Sequence, residues 1–264
     1  HNAMLKFSLA NAKIEALKQV DELQPYLADK RKVYSLDLLS GYSCPFAEKC
    51  LSKAVVQSNG RRKIKDGKKT EFRCFSASQE VQYNNVFNLR KHNYDSLNHL
   101  HINDMIHHLH TDLPKNAGIV RIHVAGDFFN ADYMQAWYNV AMMNPSVLFY
   151  AYTKSLQYWE YRVKEYPELH NFILTASYGG RDDELISELG LRSTTVVYSE
   201  AEAEALGLEI DHDDSHAARP SLRNQDFALL VHGTQPKGSA AAEALKILKR
   251  DKVQHSYNRK VVTV

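Results

Sequence analysis

Cysteine is scarce in this chain of 264 residues: there are three, all within the first 74 positions, and none follows. Three thiols cannot close a disulfide framework, and three is one short of an all-cysteine structural zinc site. Net charge is equally spare, with 33 Lys and Arg against 31 Asp and Glu. No global electrostatic attraction to nucleic acid or to an acidic membrane follows from that balance. No apolar run is long enough to span a bilayer, and no linker or low-complexity stretch divides the sequence. The first three residues, His1-Asn2-Ala3, read as a cloning scar ahead of Met4, and no signal peptide is evident. The expectation is therefore a single α/β domain over 4–264, without membrane contact, in a reducing cytoplasmic setting where thiols stay available.

What is present is ordered around the three sulfurs. Cys44 and Cys50 lie in Gly41-Tyr-Ser-Cys-Pro-Phe-Ala-Glu-Lys-Cys50, and Cys74 lies in Phe72-Arg-Cys-Phe-Ser-Ala-Ser78. Thiolates are soft ligands for zinc, copper or iron–sulfur clusters. Three of them can hold a metal centre while leaving one coordination position open, where chemistry occurs. Five-residue spacing between the first two suits a loop around a bulky cluster better than a tight tetrahedral ion. Cys44, Cys50 and Cys74 are thus the candidate metal ligands, for a [4Fe–4S] cluster or alternatively for zinc with a histidine such as His123 or His216. Buried, inert cysteine is the competing reading.

The hydrophobic pattern supplies a frame. Six mostly apolar runs begin near Val33, Ile119, Val147, Asn171, Thr194 and Phe227. Helical spacing follows the last five, over Tyr133–Met143, Gln157–Glu165, Asp182–Leu189, Glu200–Leu206 and Ser239–Arg250. Strand-then-helix units at this spacing predict a mostly parallel sheet, and right-handed crossovers would curl six strands into a partial (β/α)6, TIM-barrel-like arrangement. Residues 51–118 form an irregular insertion, expected as a charged hairpin with its tip at Asp66-Gly67 and two helices, Ser78–His92 and Ser96–Leu109.

In parallel α/β folds, loops at the carboxyl ends of the strands share one face and collect function. That face would carry Cys44, Gly126-Asp127, Thr153-Lys154, Thr175, Ser177, Gly179, Gly180, Ser199, Glu200 and the stretch His232 to Gly238. Asp127 reads equally as a helix N-cap or as an acceptor for a ligand ammonium or hydroxyl. Thr175 and Ser177 suit a ribose or a turn, and Lys154 a ligand anion or solvent. Gly233-Thr-Gln-Pro-Lys-Gly238 opens a helix as an anion site would, but the P-loop order of glycine and lysine is absent. Asp211-His-Asp-Asp-Ser-His216 groups ligand types suited to a second divalent ion or to a polar turn. Arg61-Arg-Lys-Ile-Lys-Asp-Gly-Lys-Lys69 carries six cations against one acid, either a solvated run or a phosphate-binding one.

Five segments in order, Ser40-Gly-Tyr-Ser-Cys-Pro45, Phe72-Arg-Cys-Phe-Ser-Ala-Ser78, Val120-Arg-Ile-His-Val-Ala-Gly-Asp-Phe-Phe129, Phe149-Tyr-Ala-Tyr-Thr-Lys154 and His232-Gly-Thr-Gln-Pro-Lys-Gly238, resemble the bacteriophage family called gene product 88. The resemblance implies a phage or prophage origin and hence the host cytoplasm. It implies no particular activity. A looser likeness joins the cysteines after the first strand to the partial barrels of radical S-adenosylmethionine enzymes. There, three cysteines hold a [4Fe–4S] cluster whose fourth iron takes the methionine end of S-adenosylmethionine. By that likeness Gly126 and Asp127 would face the amine and Thr175 and Ser177 the ribose, with Thr153, Lys154, His232 and Gly233 completing a cofactor-binding set. The departure is Cys74, which lies 24 residues beyond Cys50 instead of within the usual short motif. The functional expectation is an iron–sulfur enzyme with an unidentified small-molecule substrate. The alternative is a metal-stabilised binding protein that engages host nucleic acid or protein through Arg61–Lys69 without catalysis.

Overall fold

The computed structural model describes residues 3–253, so His1 and Asn2 of the expected scar lie outside the described residues. A seven-stranded sheet organises the chain, built from β1 (Ser8–Leu9), β2 (Lys32–Leu36), β5 (Ala117–Ile122), β6 (Leu148–Thr153), β7 (Phe172–Ser177), β8 (Ser193–Val197) and β9 (Phe227–Leu230). The strands lie side by side in chain order. From β2 to β9 all pairings are parallel, and only the short β1 joins antiparallel, at the edge. A separate two-stranded hairpin, β3 (Ser52–Val56) with β4 (Arg62–Asp66), belongs to the 51–118 insertion.

The central strands are apolar throughout because both faces are covered. Val120, Ile122, Phe149, Ala151 and Leu174 face one side, where they pack with Tyr133, Trp137 and Val140 of the helix Ala131–Met143 and with Met105 and Leu109 of the helix Ile102–Asp112. The alternate residues Val33, Ile119, Leu148, Tyr150, Ile173 and Phe227 face the other side. Their cover is irregular: Ile14, Leu17 and Leu23 from the amino-terminal segment and Ala217 and Ala218 from the short helix Ser215–Ala218. Full burial of each Val, Leu, Ile or Phe side chain among these contributes about 1.5–3 kcal/mol.

Two details of the insertion differ from the sequence reading. Its hairpin turns at 57–61, where Gln57 N–H donates to Arg61 O and Gly60 takes a φ of +81°. Asp66, expected at the tip, ends β4 with its carboxylate held by Arg73 and Ser52. The helical part comprises three helices, Phe75–Gln82, Asn84–Leu97 and Ile102–Asp112, and the expected Ser96–Leu109 helix spans the break between the last two. Leu97 and Met105 are both fully buried in the core under the sheet, so helical spacing persisted across the break and concealed it.

Candidate functional site: three thiols at the carboxyl ends of the strands

The loop after β2 carries Cys44 and Cys50, and its path is set by backbone contacts. Cys44 N–H donates to Gly41 O and Ala47 N–H to Cys44 O, which coils the first half. Glu48 and Lys49 N–H both donate to Gly179 O, and Arg181 N–H donates to Phe46 O. The loop is thereby laced to the turn after β7. Gly41 has to be glycine: at φ +78°, a Cβ there would stand 2.6 Å from Ser52 O, where the hairpin crosses. Gly126, at φ +94°, lies so close beneath that a Cβ would meet Ser43 Oγ at 2.5 Å.

The hairpin returns Cys74 to this loop. Glu71 and Phe72 N–H donate to Lys49 O, and Ser52 Oγ accepts from Cys74 N–H at 3.4 Å while donating to Asp66 Oδ1 at 3.0 Å. Arg73 forks onto Asp66 with bonds of 3.1 and 2.8 Å, and its peptide is held on both sides by Gln235. Cys74 is the N-cap of the helix Phe75–Gln82. Glu80 of that helix, fully buried, receives Ser40 N–H and Oγ–H and the Arg90 guanidinium at 2.8 Å. One buried carboxylate thus ties the Cys74 helix to the start of the Cys44 loop.

All three cysteines are free and half-buried, and their charges act on one another. Burial, then the Asp127 carboxylate, then Cys74 and Cys50 push the Cys44 thiol well above its ordinary pKa. Cys74 is raised by burial and by Cys50, against the lowering effect of the Ala77 and Ser76 N–H groups at the helix start. Lys154 sits among them. Burial lowers its pKa, but Cys50, Asp127, Cys44 and Cys74 together hold it above the usual lysine value. Its Nζ donates to Ser177 Oγ at 2.8 Å.

A cavity of about 200 Å³ opens beside the thiols. Cys50, Cys74, Lys154, Ser177 and His232 line it, together with Lys13, Arg121, Tyr152 and Asp214. Asp214 is buried in left-handed backbone and binds Arg121 at 2.9 Å, Tyr150 Oη–H at 2.6 Å and Lys13 at 3.5 Å. Arg121 and Lys13, after burial's opposing effect, hold its carboxyl below the usual range. A cavity of similar size among Tyr138, Trp159, Arg192 and Arg223 contains no thiol.

The predicted site residues separate into those that line the cavity and those that build its frame. Lys154, Ser177 and His232 line it. Thr175, two residues before Ser177 on β7, is fully buried with no partner for its hydroxyl, and Thr194 on β8 is likewise unpartnered. Gly233 packs against Phe75, where a Cβ would come within 2.9 Å of the ring. Gly126, Asp127 and Thr153 form a buried support: Asp127 accepts from Thr153 Oγ1–H at 2.6 Å, Lys154 N–H at 2.8 Å and Phe128 N–H at 2.7 Å. Asp127 is not the N-cap of the following helix; Asn130 is, with its side chain accepting from Tyr133 N–H. Ser199 caps the helix Glu200–Ala205, and Ser239 caps Ala240–Arg250.

His123 and His216, the alternative zinc partners, do not line the cavity. His123 Nε2 stands 2.7 Å from Tyr133 Oη, and burial lowers its pKa to about 3. His216 lies between Asp211 and Glu209, at 2.8 and 3.0 Å. Among the described residues no three His, Cys, Asp or Glu side chains form a group able to hold a single metal ion, within 211–216 or elsewhere. Sequence reasoning did not assign Arg121, Tyr150, Tyr152 and Lys13 to the site. The available signal was Arg121 itself, since a cation inside an apolar parallel strand requires a buried partner.

Fold and site together define an α/β protein with converging thiols at the carboxyl ends of a parallel sheet. The chain belongs to the gene product 88 family, whose model matches residues 4–251. No curated protein and no solved structure matches it. No helix among the described residues is long and apolar enough to cross a membrane.

Proposed function

We propose that this protein is an iron–sulfur enzyme in which Cys44, Cys50 and Cys74 hold a [4Fe–4S] cluster beside a pocket for S-adenosylmethionine, on a partial (β/α) barrel. The observation that carries this reading is that Cys74, distant in sequence, returns to the loop of Cys44 and Cys50, where the three free thiols act on one another and Cys50 and Cys74 line one cavity. The donor set fits the group. Three soft ligands would leave a fourth iron of such a cluster open. The raised Cys44 and Cys74 pKa values point the same way, because ionising these two buried thiols is costly until a cation lies beside them. Sequential strand order, with no doubling back, supports the barrel curl.

When bound, the cluster would supply a reducing electron to a ligand on its open iron. The chain's own residues orient and shield. Lys154 offers a fixed positive charge to the thiolates, and its bond to Ser177 aims it across the cavity. The unpartnered Thr175 and Thr194 hydroxyls, on adjacent strands, lie buried near Ser177, which lines the cavity. Phe75 and Val231 restrict water at the wall.

Anaerobic reconstitution with iron and sulfide tests the reading. Wild type is expected to bind about four irons per chain with broad visible absorption. Cys74→Ala is expected to lose that iron and colour, and full iron retention in this variant refutes the site. Calorimetry on the loaded protein is expected to show S-adenosylmethionine binding.

A further inference from the structure

The hairpin that brings Cys74 back has two unlike faces. Ser52, Ala54, Ile64 and Arg62 point inward: Ala54 packs on Leu39 and Phe87, and Arg62 lies over the Phe87 ring with its Nε donating to Glu80 O. The paired positions between them face outward, with Lys53 opposite Lys65, Val55 opposite Lys63, and Gln57 joined to Arg61. Arg61, Lys63 and Lys65 are exposed, and Lys53 lies 4.9 Å over the ring of Tyr42, which is itself exposed. That outward face has four cations and no acid. Nearby carboxylates are engaged elsewhere: Asp66 by Arg73, Glu71 by Lys49 and Glu48 by Lys69. Like charges directly across a ladder destabilise it, so Lys53 opposite Lys65 is a standing cost that a polyanion would relieve. The aromatic neighbour matters as well, because cationic tracks with an exposed ring suit strands whose bases are unstacked.

We propose that the outer face of the β3–β4 hairpin, formed by Lys53, Arg61, Lys63 and Lys65 with Tyr42 beside them, binds a single-stranded nucleic acid and defines the substrate class of the adjacent cysteine site. Lys53 lies against Gly41 and over Tyr42, so a strand on this face passes the loop that carries Cys44. Only the substrate role rests on the iron–sulfur reading; binding requires no cluster. Arg62, although part of the same basic run, is excluded because its guanidinium faces inward.

Fluorescence anisotropy of the full-length, iron-free protein with labelled single-stranded DNA, single-stranded RNA and duplex DNA tests this. Four phosphate contacts predict a log–log salt slope of about −3 and an affinity loss of about 50-fold between 50 and 200 mM salt. Replacing Lys53, Arg61, Lys63 and Lys65 by Gln is expected to flatten the slope. Replacing the exposed Lys30, Lys32, Lys115 and Lys249 by Gln should leave it unchanged. Tyr42→Leu is expected to weaken binding about tenfold. Bound oligonucleotide should also slow alkylation of the three thiols. Absence of binding at low salt, or equal loss in both lysine sets, overturns the assignment and marks these lysines as guards of an open strand edge. Equal affinity for duplex refutes the single-strand preference, and unchanged alkylation refutes the substrate role. None of these results depends on whether the cluster forms.

Discussion

Arg90→Leu is the most informative perturbation of the frame that assembles the cysteines. The Arg90 guanidinium lies 2.8 Å from Glu80 Oε2, with side-chain exposures of 7% and 0%. Removing it leaves a carboxylate in the interior with only the Ser40 N–H and hydroxyl as donors. Breaking one side of a buried pair costs about 3–5 kcal/mol, a large part of the ~5–15 kcal/mol that holds a domain folded. At about 2–4 °C per kcal/mol for a chain near this size, the melting temperature should fall by roughly 6–20 °C. Burial already raises the Glu80 pKa against the pull of Arg90, and loss of Arg90 raises it further. A carboxylate with a raised folded pKa penalises folding above that pKa and ceases to do so once protonated. The deficit of the variant, measured by urea unfolding, should therefore shrink as pH falls from 7.5 towards the ordinary glutamate value of 4.5. The double variant Glu80→Leu/Arg90→Leu should recover most of the loss, because no charge remains buried. A deficit below about 1 kcal/mol, or one that grows on acidification, would show that this pair does not anchor the Cys74 helix.

Two further tests address local features. Asp211, then Glu209, raises the pKa of His216 above 6.5, so the stability from its protonated form is complete below that value and lost as pH rises through the folded pKa. His216→Gln should accordingly cost about 1–2 kcal/mol at pH 6 and little at pH 9, and a pH-independent difference in urea midpoints would contradict the pairing. Gly126→Ala should destabilise by about 2–4 kcal/mol, combining positive φ with the contact at Ser43 Oγ. Gly60→Ala, at φ +81° in open space, isolates the backbone part at about 1–2 kcal/mol, and equal thermal shifts in the two variants would remove the steric component.

The sheet was legible in the sequence because burial on both faces forces nearly continuous apolar runs. Each of the six predicted runs overlaps an observed strand. Helices that cover one face were legible for a related reason, since Tyr133, Trp137 and Val140 repeat with the helical period. The opposite face was not, because its cover comes from short irregular pieces, Ile14 to Leu23 and Ala217-Ala218, which have no period to detect. The hairpin tip was misplaced because Asp66-Gly67 and Asn59-Gly60 are equally good turn signals. Only the Asp66–Arg73 and Ser52–Asp66 contacts choose between them. Asp214 read as one member of a metal-like cluster, whereas its buried partners Arg121, Tyr150 and Lys13 come from three distant segments.

By itself the sequence determined a mostly parallel α/β sheet, the placing of Cys44 just past its first long strand, and a supply of thiols too small for a disulfide framework. These follow from local periodicity and from counting. Tertiary structure decided whether Cys74 rejoined the other two. That outcome rests on long-range contacts: Lys49 O to Glu71 and Phe72, Ser52 Oγ to Cys74, and Glu80 between Ser40 and Arg90. Each contact joins groups that are unremarked polar residues in the sequence, and each gains strength only when burial removes the competing water.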